Sequence, residues 1–240
     1  SAILWDFLSI STYLTGSIIY LYLPLIPDLA IARDRLGSEA AAWKRALYRA
    51  ASLGWLGTPR QKKCLDVAMS CMMVLIIPVA VSVHTVVSWI FAMTLREPWN
   101  STVFGAYFVA GAIFSGIAAI IVVMAILRRV FRLEAYITDK HFINLGYMLG
   151  GFTLIMLYFN LQEYAVTGFK MAGETSFHFT QLMVREYAPF FWFYILGGMV
   201  TPGLIILFPQ TRTFKGVLLA AALAVMGMWM ERFLIVVAGL

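Results

Sequence analysis

Six long apolar stretches determine what this chain can fold into. They lie near 7–27, 69–93, 102–127, 143–165, 188–208 and 216–238. Each is long enough to cross about 30 Å of hydrocarbon as an α-helix. Only 12% of the residues are charged, against about 25% in soluble domains, which excludes a soluble protein. We therefore predict an all-α fold: a polytopic transmembrane helix bundle with six spans in this chain.

The basic residues are distributed unevenly between the connections, and this asymmetry predicts the orientation. Fourteen of the 18 lysines and arginines fall in 28–68, 128–140 and 212–215, all on one side of the predicted membrane. The positive-inside rule places that side in the cytoplasm and the start of the chain outside. The net charge of +6 therefore reflects membrane topology, and we expect no nucleic-acid partner.

The longest connection, 31–68, contains a basic amphipathic helix. In the segment SEAAAWKRALYRAASL, Trp43 and Leu47 recur at helical spacing, while three basic residues lie on other faces. Such a helix either lies in the membrane interface against anionic lipid or forms a plain connection with a solvated charged face. The sequence leaves both interpretations open.

Polar and ionisable residues concentrate toward the outer ends of four predicted helices. Ionisable groups at membrane depth are costly and usually face the interior of a bundle. The residues that converge on the outer third are Asp6, His84, Ser88, Asn160, Glu163, Glu231 and Arg232. Four of them also have a simpler interpretation: His84 as a hydrogen-bonded packing residue, and Glu163, Glu231 and Arg232, near helix ends, as side chains that snorkel to the interface. Their common depth favours one shared polar site.

The chemistry of this polar site is narrowed by what the sequence lacks. His84 has no second histidine on a facing helix, as a transmembrane haem would need, and the sequence has no metal-ligand spacing, nucleotide loop or Ser/His/Asp arrangement. We therefore expect no haem or metal in this chain. A site that exchanges protons among apolar walls suits the head group of a lipid-soluble quinone, or a proton relay.

Four separated blocks of the sequence resemble the NrfD/polysulfide-reductase family of integral membrane subunits. The blocks are WDFLSISTYLTGSIIYLYLPLIPDLAIARDR (5–35), VSVHTVVSWIFA (81–92), PWNSTVFGAYFVAGAIFSGIAA (98–119) and MWMERFLIVV (228–237). They follow the family's order over most of the chain, and the long, ten-helix form found in alternative complex III is the most similar. By this resemblance the chain is a fragment that lacks the first helices.

The resemblance implies a membrane subunit of a quinone-linked respiratory electron-transfer complex in the bacterial inner (cytoplasmic) membrane. Such a subunit binds menaquinol or another quinone near the outer face and passes electrons to a docked, ferredoxin-type iron–sulfur subunit. In alternative complex III a multihaem cytochrome c and other membrane subunits join the assembly. Iron–sulfur clusters and haems then belong to the partner subunits.

The two four-helix bundles of the family imply a division of this chain. Residues 1–30 are then the last helix of the first bundle, and 31–68 are a cytoplasmic connection. Residues 69–210 form the second four-helix bundle, and 211–240 form a closing transmembrane helix.

The resemblance also implies roles for the polar residues. Asp6 belongs to the first block and is the expected quinone-binding residue. The expected proton pathway, by analogy with proton conduction proposed for the second bundle, comprises His84, Ser88, Asn160, Glu163, Glu231 and Arg232. Ile90 departs from the pattern, because related chains often carry an aspartate at that position.

Two other functions are compatible with the same sequence. A secondary transporter would also place ionisable residues among its helices, with broken helices around a substrate site near the midplane. The charges here concentrate toward one face instead. A non-catalytic anchor subunit would tolerate any mutation of the polar residues without loss of turnover.

Overall fold

The computed structural model describes residues 2–37, 40–92, 102–170 and 174–238, and all of their regular structure is helical. The α-helices are α1 (Ala2–Tyr22), α2 (Leu25–Arg35), α3 (Ala42–Ala51), α4 (Pro59–Ala92), α5 (Phe104–Val130), α6 (Asp139–Lys170), α7 (Glu174–Met183), α8 (Ala188–Trp192), α9 (Thr201–Leu207) and α10 (Phe214–Phe233). Two π-helical segments, Phe193–Val200 and Leu234–Ala238, continue α8 and α10. The predicted all-α fold is confirmed.

Five helical stretches of the described chain are long and apolar enough to cross a membrane. They are Pro59–Ile90, Phe104–Val130, Asp139–Phe169, Ala188–Leu207 and Phe214–Ala238. A sixth span is obtained if α1 and α2 count as one broken crossing. The chain is therefore a multi-pass membrane protein, as its hydropathy predicts.

The first predicted span differs from a single straight helix. Its axis bends by 52° between Tyr22 and Leu25. Pro24 lies in this break and has no N–H group to continue the helical hydrogen bonds. The prediction of one span over 7–27 missed this break, because only the hydropathy of the stretch was considered.

The contacts divide the chain into two compact units, 1–87 and 88–240. In the first unit, Arg33 holds the end of α2 against the turn that follows α3. Its guanidinium donates to the Ser52 hydroxyl over 3.1 Å and to the Trp55 carbonyl over 3.0 Å. Two bonds to Asp34 fix the orientation of that guanidinium.

The second unit is built around α10. Its buried residues recur every three or four positions, which defines one face of a helix: they are Val217, Ala220, Ala221, Ala224, Gly227, Met228 and Glu231. The stripe packs against α5, α6, α9 and the first π-helical segment. Because Glu231 continues this stripe, packing of the small residues directs its carboxyl group inward.

Glycines allow two of these elements to touch through their backbones. A Cβ atom built on Gly198, in the first π-helical segment, would lie 2.5 Å from the Cα atom of Gly227. On α6, atoms of Val217 and Ile206 lie 3.0 Å and 2.9 Å from Cβ atoms built on Gly146 and Gly150. Small residues give such close approach in membrane bundles.

Candidate functional site

A small cavity with several polar side chains in its wall lies inside the second unit. Its volume is about 60 Å³, room for a few water molecules. Side chains from α5, α6, α7 and α10 and from both π-helical segments line it: Phe104, Tyr107, Asn160, Glu163, Tyr164, His178, Leu182, Tyr194, Glu231, Leu234 and Ile235. A cavity of this size does not accommodate the bicyclic head group of a menaquinone.

Glu231 is the most enclosed charged group of the described chain, with only 2% of its surface exposed. Neither of its carboxyl oxygens makes a hydrogen bond of ordinary geometry with a described residue, although Tyr107 is close enough for a weaker interaction. A carboxyl group buried in this way is stable when a cation pairs with it or when it binds a proton. The cavity beside it has room for water next to this carboxyl group.

Arg232 supplies the neighbouring positive charge. Its Nε atom lies 3.3 Å from Oε2 of Glu231, and 32% of its side chain is exposed. The guanidinium carbon lies 3.9 Å from the centre of the Phe108 ring, a cation–π contact. Gly111 leaves the space for this arrangement, because a Cβ atom there would lie 3.2 Å from Nη2 of Arg232.

A chain of three hydrogen-bonding side chains crosses the cavity wall. The Tyr107 and Tyr194 hydroxyl oxygens are 2.9 Å apart. Tyr194 donates to Oδ1 of Asn160 over 3.0 Å, and the Asn160 amide donates to the Met156 carbonyl over 2.8 Å. The chain therefore links α5, the first π-helical segment and α6.

The polarity of this chain follows from the number of hydrogens. Tyr194 has one hydroxyl hydrogen and donates it to Asn160, so Tyr107 must donate to Tyr194. In that state Tyr107 can accept, but not donate, a hydrogen bond on the Glu231 side. A protonated Glu231 can therefore donate to Tyr107 without any change in this hydrogen-bond chain. Loss of the Glu231 proton would favour a rearrangement of the chain.

The sequence-predicted site residues fall into separate parts of the structure. The cavity brings together Asn160, Glu163 and Glu231, and Arg232 contacts the last of them. His84 lies in the first unit, where Nδ1 is 2.7 Å from the Ala80 carbonyl oxygen and the ring packs edge-on against Tyr13, with centroids 5.9 Å apart. The carbonyl oxygen can only accept a hydrogen bond, so Nδ1 carries the hydrogen of neutral His84.

Two other predicted residues, Ser88 and Asp6, lie on α4 and α1. Ser88, the first residue of the second unit, is completely buried on α4. Asp6 lies in α1, but its side chain falls outside the described residues. Its expected quinone contact therefore stays a prediction.

A family model settles the relationship of the chain to known proteins. The model named polysulphide reductase, NrfD, matches residues 1–240. The chain belongs to the NrfD family. It is also similar to a protein of Halobacterium salinarum described as a putative membrane subunit of dimethyl sulfoxide reductase, with 29% identity over 251 residues. That match covers 100% of this chain and 52% of the relative, so the NrfD chain spans about half the length of that curated protein.

Sequence reasoning missed three lining residues of the NrfD chain. Tyr107, Tyr194 and His178 were not singled out as site residues, and His178 lies on α7. The two tyrosines sit in otherwise apolar spans, where a buried hydroxyl needs a partner. That rule is the signal by which they could have been found. In the described stretches, no group of three or more His, Cys, Asp or Glu side chains is placed to hold a metal ion.

Proposed function

We propose that this chain is part of the membrane subunit of a quinone-linked oxidoreductase complex, and that the second unit moves protons. Membership of the NrfD family over the whole chain supports the first part. The observation that carries the second is Glu231, buried beside a small cavity whose wall includes Asn160, Glu163 and the two tyrosines. Oxidation of a quinol releases two electrons and two protons, so such a complex needs paths for both.

The quinol is proposed to bind outside this cavity, near Asp6 at the outer face. The cavity is too small for a quinone ring, and Asp6 stands in the family-like block at the start of the chain. A carboxylate there accepts a proton from the quinol hydroxyl as the electrons leave. The electrons are proposed to pass to a docked, ferredoxin-type iron–sulfur subunit, a partner that membership of the NrfD family supports.

The direction of electron flow is proposed to be outward from quinol to an acceptor enzyme. The similar Halobacterium protein is named as a subunit of a dimethyl sulfoxide reductase, and this supports quinol as the donor. In this proposal the protein lies in the cytoplasmic membrane with its basic connections inside. A multihaem cytochrome c is the alternative electron acceptor, as in the long form of the family.

Replacement of the proposed quinol base tests this function. We expect Asp6→Asn to lower quinol oxidation by the purified complex about a hundredfold, because the amide cannot accept the hydroxyl proton. Reduction of the acceptor enzyme by an artificial dye, which bypasses the quinol, is expected to be unchanged. Asp28→Asn, which alters an exposed carboxylate on α2, is the matched control. Full quinol oxidation by Asp6→Asn would contradict the proposed site, and a purified complex without any quinol-linked activity would favour the transporter.

His84 offers a second test within the same proposal. His84→Leu is expected to leave assembly intact and to lower turnover or its coupling to protons, because leucine fills the space but cannot bind a proton. Tyr13→Phe is the control, since it keeps the ring that packs on the imidazole. The measurements are the yield of assembled complex after purification, quinol-linked activity and acidification in proteoliposomes. Normal activity and coupling in His84→Leu would assign His84 to packing.

A further inference from the structure

The face of α3 opposite its arginines has no cover from the described chain. Trp43 and Leu47 are 64% and 56% exposed, and α3 has no buried residue. At 100° per residue the two side chains lie close together on one face of the helix, and Arg45 and Arg49 lie on the opposite face. The helix therefore separates a large apolar surface from a basic one.

Hydrogen bonds fix α3 at the end of a membrane-crossing segment. The hydroxyl of Tyr22, the last residue of α1, donates to the carbonyl of Ala51, the last residue of α3. Charged residues follow α1 on α2, among them Asp28, Arg33 and Arg35, and Arg33 also bonds to the turn that follows α3. Because charged residues gather where a membrane segment leaves the hydrocarbon, we expect α3 at the level of the lipid head groups.

The two arginines of α3 face an open groove whose described lining does not neutralise them. The groove is lined by Arg33, Asp34, Leu36, Ala42, Arg45, Ala46, Arg49 and Gly54. Asp34 is the one acidic side chain in this lining, and Arg33 pairs with it over 2.7 Å. Arg45 and Arg49 form no ion pair with any described residue, and both side chains are exposed. Two unpaired guanidinium groups one helical turn apart attract a phosphate.

We propose that α3 is an interfacial helix that binds anionic phospholipid. Trp43 and Leu47 insert among the acyl chains, and Arg45 and Arg49 bind the head-group phosphate. Tryptophan suits this depth because its ring is apolar and its N–H group reaches water. The combination of an apolar face, a basic face and a fixed position at the membrane surface distinguishes this helix from a plain connection. The site is separate from the proposed quinol and proton functions.

Fluorescence of the intact complex tests this proposal. The probe is the complex in phosphatidylcholine nanodiscs containing increasing fractions of phosphatidylglycerol with brominated acyl chains, which quench nearby tryptophan. The Trp43 signal is the difference between the unmodified protein and Trp43→Phe. We expect this signal to be quenched at low phosphatidylglycerol fractions. The combined Arg45→Gln and Arg49→Gln variant should need about 30-fold more phosphatidylglycerol to reach the same quenching, which is about fivefold for each arginine lost.

Two further variants separate charge at this site from general effects. Arg45→Lys with Arg49→Lys keeps the charge and should retain most of the lipid preference. Arg129→Gln with Lys140→Gln removes the same charge from exposed positions of the second unit and should leave Trp43 quenching unchanged. Absence of Trp43-dependent quenching would show that water or protein covers this face, and would overturn the proposal. Equal quenching by brominated phosphatidylcholine, or no effect of the arginine-to-glutamine changes, would also overturn it.

Discussion

Glu231→Gln is expected to lower proton transfer through the second unit about a hundredfold, since a positioned acid–base group contributes that much or more. Glutamine has nearly the same shape, so it keeps the packing of α10, but it cannot release a proton. The measurement is the change of internal pH in proteoliposomes that contain the complex and are supplied with quinol. Quinol oxidation by the same variant in detergent is expected to persist, because the proposed quinol site lies near Asp6.

The control for this prediction is Glu186→Gln. Glu186 is exposed between α7 and α8, so its replacement changes the same net charge without altering the cavity. A normal proton signal from Glu231→Gln would contradict the role of the cavity and leave the proposed quinol site untouched. Loss of quinol oxidation in both Asp6→Asn and Glu231→Gln would instead place both residues on one path.

Gly227→Ala is expected to destabilise the second unit by about 3 kcal/mol, the upper part of the range for overpacked cores. Its new Cβ atom would lie 2.4 Å from the Cα atom of Gly198. The backbone fixes the positions of both atoms, so no side-chain rotation relieves the contact. The first π-helical segment and α10 must therefore separate. The measurement is the free energy of unfolding of the complex in detergent.

Gly116→Ala provides the matched control on α5. A Cβ atom at Gly116 has no neighbour within 4 Å, and alanine favours a helix over glycine. This variant is expected to be as stable as the unmodified protein, or more stable. Equal stability of the two alanine variants would show that the backbones at Gly198 and Gly227 are farther apart than the structure places them.

The spans could be predicted from sequence because lipid imposes a simple local rule: about twenty apolar residues in helical form. The inward direction of Glu231 also follows from a local pattern, its position on the small-residue stripe of α10. The bend at Pro24 could also have been predicted from the proline itself, but an average of hydropathy over the segment does not detect it.

Other features depend on contacts between distant parts of the chain and could not be predicted in this way. The bond between Tyr194 and Asn160 joins residues 34 positions apart, and neither local sequence indicates its partner. The amino-acid composition of the π-helical segment that carries Tyr194 does not distinguish it from an α-helix, because packing against other helices determines its conformation. The expectation that His84 and Glu231 share one site stays a prediction, since the two lie in different units.

The π-helical segment Phe193–Val200 has a consequence for comparisons within the family. A π-helical turn holds one residue more than the α-helical turn it replaces, and a single residue corresponds to about 100° of rotation along a helix. Tyr194, near the start of the segment, and Pro202, just beyond its end, are both buried, and the extra residue changes the rotation between them about the helix axis. A homologue without it would align with a one-residue gap inside a membrane span. Such a gap would mark a change of site rather than an error of alignment.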